Sequence, residues 1–218
     1  MTSSSMTPAA AWSEMISGNE RFVRGEPQHP RQDVERRAEL AHVQHPLAAL
    51  FGCSDSRLAA EIIFDKGLGD LFVVRNAGQV ISDSAVASLE YAVAVLQVPL
   101  IVVLAHDECG AVRAAIDTQG GDAAPLPAHI RRHVEGIIPA VRAVGVAAED
   151  GTIDLERIDV DAVGREHLRN TITELLTRSE LISAGVADGS VAVVGAQYRL
   201  AEGRADVDLV VGDVSAAA

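Results

Sequence analysis

Four short and uninterrupted apolar segments constrain the fold of this 218-residue chain more than any other feature. Continuous apolar runs, rather than alternating ones, are typical of strands that are buried on both faces of a parallel sheet. Because segments of helical periodicity separate the runs, we predict an α/β fold with a mainly parallel β-sheet flanked by helices. The predicted strands are Leu47–Phe51, Leu71–Val74, Leu100–Leu104 and Val191–Val194, with a weaker edge strand near the C-terminus at Val207–Val211.

An N-terminal helix is predicted over residues 7–25, as an arm that extends from the core. Thr7 is a good N-cap residue, Pro8 suits the first helical position, and Gly25 ends the pattern. The apolar stripe of this helix must pack either against its own domain or against a neighbouring subunit. Further helices are predicted near 34–43, over 58–64 and 82–96, from 109 or 110 to 118, over 130–141 and through 163–176.

Charge and composition exclude several classes of partner. The net charge is −13 and the basic residues are scattered, which argues against nucleic acid or an anionic membrane. The first residues lack the basic and apolar regions of a secretion signal, and the apolar runs are too short to span a bilayer. We therefore expect a cytoplasmic protein whose reducing surroundings keep both thiols free. At this length we expect one domain, residues 1–218, with its core over 47–211.

The two cysteines of the chain and one histidine each follow a predicted strand. Because ligands collect at the carboxyl ends of parallel strands, Cys53, His106 and Cys109 are expected to converge. Two thiolates and an imidazole form a good three-ligand set for zinc, and an open fourth position indicates catalysis rather than a structural site. Each residue alone is a weak signal, since a lone cysteine is usually a small apolar residue. We predict that the other histidines, at positions 29, 42, 45, 129, 133 and 167, lie on the surface.

Asp55 and Arg57 lie beside the first of these cysteines. These residues are two positions apart in an extended segment, so their side chains point the same way and are expected to form an ion pair. Asp55 could then accept a hydrogen bond from zinc-bound water, or leave Arg57 and bind zinc as a fourth ligand. The alternative is a salt bridge that only makes the loop rigid and takes no part in catalysis.

The segment Cys53-Ser-Asp-Ser-Arg57, followed by His106-Asp-Glu-Cys109-Gly110, resembles the bacterial β-class carbonic anhydrases. Two other segments, Leu71–Gly78 and Ser88–Val93, are also similar to that family, and the resemblance runs from about Trp12 to Val211. It implies one zinc ion per chain, held by the two cysteines and the histidine. It also implies that Asp55 is the fourth ligand in a closed form, and that zinc-bound hydroxide attacks carbon dioxide to give bicarbonate.

The same resemblance implies a substrate pocket. Gln44 matches a glutamine that orients the substrate, and Phe72, Ala77 and Tyr91 match an apolar pocket for carbon dioxide. Gly110 offers a backbone N–H close to zinc. In the family this pocket is built across a dimer interface, so a homodimer or a homotetramer is implied.

The chain departs from the family pattern at two positions. Some members have a second, inhibitory bicarbonate site that uses a tryptophan where this chain has Leu50, although Arg75 and Tyr198 match the other two members of that site. The resemblance therefore does not carry over bicarbonate trapping. Gln79 replaces a more usual asparagine.

Two alternative functions stay open on the sequence. Carbonyl sulfide and carbon disulfide hydrolases resemble the same family, and their linear substrates are attacked by the same hydroxide. A non-catalytic zinc-binding protein is the second alternative, although a site that only holds zinc would not need Gln44, Asp55 or Arg57.

Overall fold

The structure is a computed structural model that describes residues 6–120, 125–146 and 153–215. Within these residues one five-stranded sheet has the order β2-β1-β3-β4-β5, in which the first four strands are parallel and β5 is antiparallel to β4. The strands are β1 Ala48–Cys53, β2 Leu71–Asn76, β3 Leu100–His106, β4 Ala192–Arg199 and β5 Arg204–Val211. The predicted fold class is confirmed, including the edge strand near the C-terminus.

Helices cover both faces of the sheet. They are α1 Pro8–Val23, α2 Val34–Glu39, α3 Ala60–Ile63, α4 Asp83–Ala94, α5 Gly110–Asp117, α6 Ala128–Val134, α7 Ile138–Val144, α8 Val160–Arg178 and α9 Glu180–Ala187. Successive strand residues enter opposite apolar clusters, with Leu50 and Val102 on one face and Phe51 and Val103 on the other. Burial on both faces explains why the strands are continuous apolar runs. Among the described residues, no helix combines the length and apolar character that crossing a bilayer requires.

Two helical segments differ from the prediction. The helix predicted over 130–141 is divided into α6, a 3-10 turn at Glu135–Ile137, and α7. Pro139 lies in the first turn of α7, and because it lacks an N–H it cannot continue an α-helix from α6. The sequence pattern also gave no sign of α9, which begins after Ser179, a buried residue whose hydroxyl caps the new helix at Ile182 N. The sequence also predicts an acidic and irregular segment over 149–159, of which residues 149–152 lie outside the described part of the chain.

The N-terminal helix packs within its own chain. Trp12 and Met15 are buried in the core, which gives the apolar stripe of α1 a partner in its own domain. Asn19 fixes the position of the helix, because its amide nitrogen donates to Ile63 O at 3.1 Å and its amide oxygen accepts from Ala205 N at 3.0 Å. These bonds tie α1 to α3 and to β5.

A buried carboxylate holds the chain segment that follows α1. Asp65, whose side chain is 1% exposed, accepts hydrogen bonds from Arg21 Nε at 2.6 Å, Gln28 N at 3.0 Å and His29 N at 2.9 Å. Burial alone would raise the pKa of Asp65, but the Gln28 amide, the Arg21 guanidinium and the His29 amide outweigh it and lower the pKa below its usual value.

We expect Asp65→Ala to lower the free energy of unfolding by about 3 kcal/mol, because it leaves a partly buried guanidinium and two amides unpaired. A lowered folded-state pKa means that the stabilisation is complete above the unfolded pKa of about 4 and is lost as the pH falls further. Urea unfolding of the two proteins at neutral and acidic pH measures both effects. If the difference in the free energy of unfolding between the wild-type protein and Asp65→Ala does not shrink as the pH falls below about 4, this role is contradicted.

Candidate active site

The strand register brings the three predicted metal ligands together. Cys53 is the last residue of β1 and His106 is the last residue of β3, and these strands are neighbours in the sheet. Cys109 lies directly before α5. The Sγ atoms of the cysteines and a ring nitrogen of the histidine all lie within 4.8 Å of one another, and all three residues are buried. Within residues 6–120, 125–146 and 153–215 this is the one such group that could hold a metal ion.

The donor set fits zinc. His106 Nδ1 lies 2.7 Å from Asp107 O, and because a carbonyl oxygen can only accept, Nδ1 carries the hydrogen. The other nitrogen, Nε2, is therefore left with a lone pair, and it is buried without a hydrogen-bond partner. A buried imidazole lone pair beside two thiols suits a metal that accepts nitrogen and sulfur ligands together.

The two thiols influence each other strongly. The neighbouring Cys109 thiol lowers the pKa of Cys53 against the opposing effect of burial, and the Gly78 amide, which donates to Cys53 Sγ at 3.2 Å, lowers it further. The Cys53 thiolate and burial in turn raise the pKa of Cys109, although amides at the start of α5 oppose this. Zinc binds thiolates rather than thiols, so metal binding at this pair would release protons.

The predicted ion pair between Asp55 and Arg57 is present. Arg57 Nε lies 2.9 Å from Asp55 Oδ1 and Arg57 Nη2 lies 2.8 Å from Oδ2, so the contact is bidentate. The backbone amide of Arg57 also donates to Oδ1 at 2.9 Å. These bonds hold the pKa of Asp55 well below its usual range. Arg57 Nη2 also reaches Glu108 O at 3.3 Å, which links the ion pair to the loop that carries Cys109.

Arg75 braces the backbone between Cys53 and Asp55. Its Nε donates to Cys53 O at 2.9 Å and its Nη2 donates to Asp55 O at 2.7 Å. Leu50 and Tyr198, the other two positions of the family's second bicarbonate site, are buried. Arg75 thus supports the loop that carries the candidate catalytic pair.

The structure brings together only part of the predicted substrate pocket. Ala77 and Gly110 line an apolar cavity of about 530 Å³ together with residues of α5 and α6, namely Ala111, Ala114, His129, Ile130, His133 and Val134. Phe72 and Tyr91 do not line this cavity and contact each other instead, with ring centroids 6.1 Å apart. Gln44 is exposed in the segment that precedes β1.

The prediction that the remaining histidines lie on the surface is wrong for His167, which is 3% exposed. Its helical segment is amphipathic, and His167 falls on the buried face of α8, where burial lowers its pKa. Sequence reasoning also missed the Gly78 amide as a donor to Cys53. Its signal was the glycine itself, because Gly78 has φ +76° and a Cβ there would lie 2.8 Å from Ala111 Cβ.

Comparisons with known proteins show the family of this chain. The family model described as carbonic anhydrase matches residues 48–205. Carbonic anhydrase 2 of Mycobacterium tuberculosis is 51% identical over 198 residues, which cover 91% of this chain and 91% of that protein. The carbonic anhydrase of Mycolicibacterium smegmatis is 46% identical over 211 residues, covering 95% of this chain and 96% of that protein.

Solved structures of low sequence identity share the fold. A tetrameric β-carbonic anhydrase of the fungus Sordaria macrospora superposes with a TM-score of 0.67 at 24% identity, over 90% of this chain and 95% of that chain. Its fold agrees with the mainly parallel sheet described above. From the matched family model and the two mycobacterial relatives, we conclude that the chain belongs to the carbonic anhydrase family, and its fold is that of a β-carbonic anhydrase.

Proposed function

We propose that this protein is a zinc-dependent carbonic anhydrase that catalyses the reversible hydration of carbon dioxide to bicarbonate and a proton. The observation that carries the proposal is the buried group of Cys53, His106 and Cys109, in a chain of this family. The comparisons favour this reaction over the sulfur-containing substrates and over a non-catalytic zinc site.

We propose that the two thiolates and His106 Nε2 hold one zinc ion per chain. When bound, zinc is a Lewis acid that makes hydroxide available from water near neutral pH, and hydroxide is the nucleophile that carbon dioxide requires. The hydrogen bond from His106 Nδ1 to Asp107 O orients the imidazole for this role.

Asp55 is proposed as the catalytic carboxylate and Arg57 as its partner. The lowered pKa of Asp55 keeps the carboxylate ionised, so it can accept a hydrogen bond from the attacking water. Arg57 holds the carboxylate in one orientation through its bidentate contact. In a closed form Asp55 would release Arg57 and occupy the fourth ligand position, which would stop the reaction.

The apolar cavity is proposed as the place where carbon dioxide enters. A small, linear and nonpolar substrate suits the apolar lining beside Ala77, and the Gly110 amide, at the first position of α5, has no partner within the helix. We propose that Gln44, Phe72 and Tyr91 complete the pocket across an interface in a homodimer or homotetramer. The 46% exposure of Tyr91 supports this, since it leaves an aromatic side chain uncovered within one chain.

A cytoplasmic location is proposed as well. The two cysteines are free and buried in the metal site, where a disulfide would prevent zinc binding, so a reducing compartment suits them.

Removal of the metal tests the proposed cofactor. We expect one zinc ion per chain in the purified protein, loss of carbon dioxide hydration after treatment with a chelator, and recovery when zinc is added back. Metal analysis and a hydration assay on the same samples measure both quantities. Full activity in protein shown to be free of metal would contradict the proposal.

A further inference from the structure

Each carbonyl oxygen of residues 77–80, the loop that follows β2, accepts a hydrogen bond from a side chain. Two of the donors are imidazoles, one from α6 and one from α8. The contacts are His133 Nε2 to Ala77 O at 2.7 Å, His167 Nε2 to Gly78 O at 2.7 Å, Thr171 Oγ1 to Gln79 O at 3.4 Å, and Asn76 Nδ2 to Val80 O at 2.7 Å. Gly78 and Gln79 both have positive φ, which costs glycine little but is disfavoured for glutamine, so these bonds help to hold Gln79 in that conformation.

One peptide group of this loop connects His133 to Cys53. The carbonyl of Ala77 and the amide of Gly78 belong to the same planar unit. His133 Nε2 lies 2.7 Å from the oxygen of this unit. The N–H of the same unit, which belongs to Gly78, donates to Cys53 Sγ at 3.2 Å. Because a carbonyl oxygen can only accept, His133 Nε2 is the donor. The hydrogen bonds therefore run in one direction, from the imidazole through the peptide to the sulfur.

A hydrogen bond that is donated to a carbonyl withdraws electrons from the peptide and strengthens the hydrogen bond that its N–H donates. In this arrangement the second bond ends on a sulfur that would hold the metal. Partners of metal ligands tune the affinity and the electronic properties of a site, and their loss costs about 10- to 100-fold in affinity or activity.

We propose that His133 is a positioning residue that acts on the metal centre through the Ala77–Gly78 peptide, and that His167 holds the adjoining Gly78–Gln79 peptide group in place. The inference rests on the proposed zinc site. His133 lines the cavity proposed for the entry of carbon dioxide, but it does not touch the metal ligands, and its effect reaches Cys53 only through the backbone. His167, which is buried and donates to the next carbonyl, keeps the Gly78 amide aimed at the sulfur.

The test uses the full-length protein with cobalt(II) in place of zinc. Sulfur-to-cobalt charge transfer moves electron density from thiolate to metal, so a weaker hydrogen bond to Cys53 makes this transition easier. We expect His133→Ala to shift the near-ultraviolet charge-transfer band to longer wavelength and to raise the dissociation constant for zinc by about tenfold. His133→Gln keeps an N–H donor of similar reach, and it should restore most of both properties.

Arg132→Ala is the matched control, because Arg132 is an exposed neighbour on the same helix, and it should behave like the wild-type protein. His133 is only partly buried, so its truncation leaves the core intact, and far-ultraviolet circular dichroism verifies the fold. A band and a zinc affinity unchanged in His133→Ala would overturn the inference, as would equal effects of the alanine and glutamine variants. Because neither readout needs turnover, failure of the proposed function and failure of this inference give different results.

Discussion

Cys109→Ser is expected to abolish zinc binding and to reduce carbon dioxide hydration by more than about a thousandfold. Serine is a poor ligand for zinc at neutral pH, and two remaining protein ligands do not form a stable catalytic zinc site. Without the metal the chain has no means of generating hydroxide near neutral pH. Metal analysis after dialysis, together with a stopped-flow hydration assay, measures both losses.

The fold of this variant should survive, which separates the chemical effect from misfolding. Cys109 is the N-cap residue of α5 but makes no capping hydrogen bond with its side chain. Serine is a preferred N-cap residue. The free energy of unfolding of the metal-free variant should therefore equal that of the metal-free wild-type chain or exceed it by up to about 1 kcal/mol. Thermal unfolding of the two metal-free proteins makes the comparison. A variant that binds one zinc ion per chain and keeps its activity would contradict the assignment of Cys109.

Asp55→Ala is expected to keep zinc bound and to lower the hydration rate by about 10²- to 10⁴-fold, the range that a positioned acid–base group contributes. The three proposed ligands remain in place, and the lost carboxylate is the group held by Arg57 at 2.8–2.9 Å. Asp55→Asn keeps one hydrogen-bond acceptor for Arg57 but removes the charge, so it should lie close to the alanine variant in activity. Stopped-flow rates at equal zinc content provide the measurement.

Asp117→Ala is a suitable control for this experiment. Asp117 also pairs with an arginine, Arg113, at 2.9 Å, but the pair lies on the exposed side of α5. Loss of an exposed ion pair of this kind changes stability by about 1 kcal/mol at most and should leave the hydration rate unchanged. Equal activity of Asp55→Ala and Asp117→Ala would show that the Asp55 pair only stiffens the loop.

The sequence alone was sufficient to predict that Cys53, His106 and Cys109 converge, because their positions follow from strand ends. Cys53 and His106 are the final residues of neighbouring parallel strands, so the fold class already placed them at the same edge of the sheet. The Asp55–Arg57 pair was predictable for a similar reason, because side chains that are two positions apart in an extended segment point to the same side. These predictions depended only on local geometry and on the strand order of a parallel sheet.

Other features depend on contacts that the sequence pattern does not encode. The sequence pattern predicts an exposed His167, because this histidine lies in a polar helical segment. Only the packing of α8 on the loop after β2 shows that it is buried. The break between α8 and α9 depends on the buried Ser179 cap. Gln44, Phe72 and Tyr91 do not line the apolar cavity within one chain. The residue pattern does not encode this separation, and only the family resemblance implies a pocket that is built across a dimer interface.

The most direct test of the central claim is the rate of carbon dioxide hydration by the zinc-loaded protein. Stopped-flow measurements should run from about pH 6.5 to about pH 9, the range over which zinc makes hydroxide available from water. We predict a rate far above that of the uncatalysed reaction, which rises with pH and disappears in Cys109→Ser. If protein that contains one zinc ion per chain shows no rate above the uncatalysed reaction at any pH in this range, the proposed function is wrong.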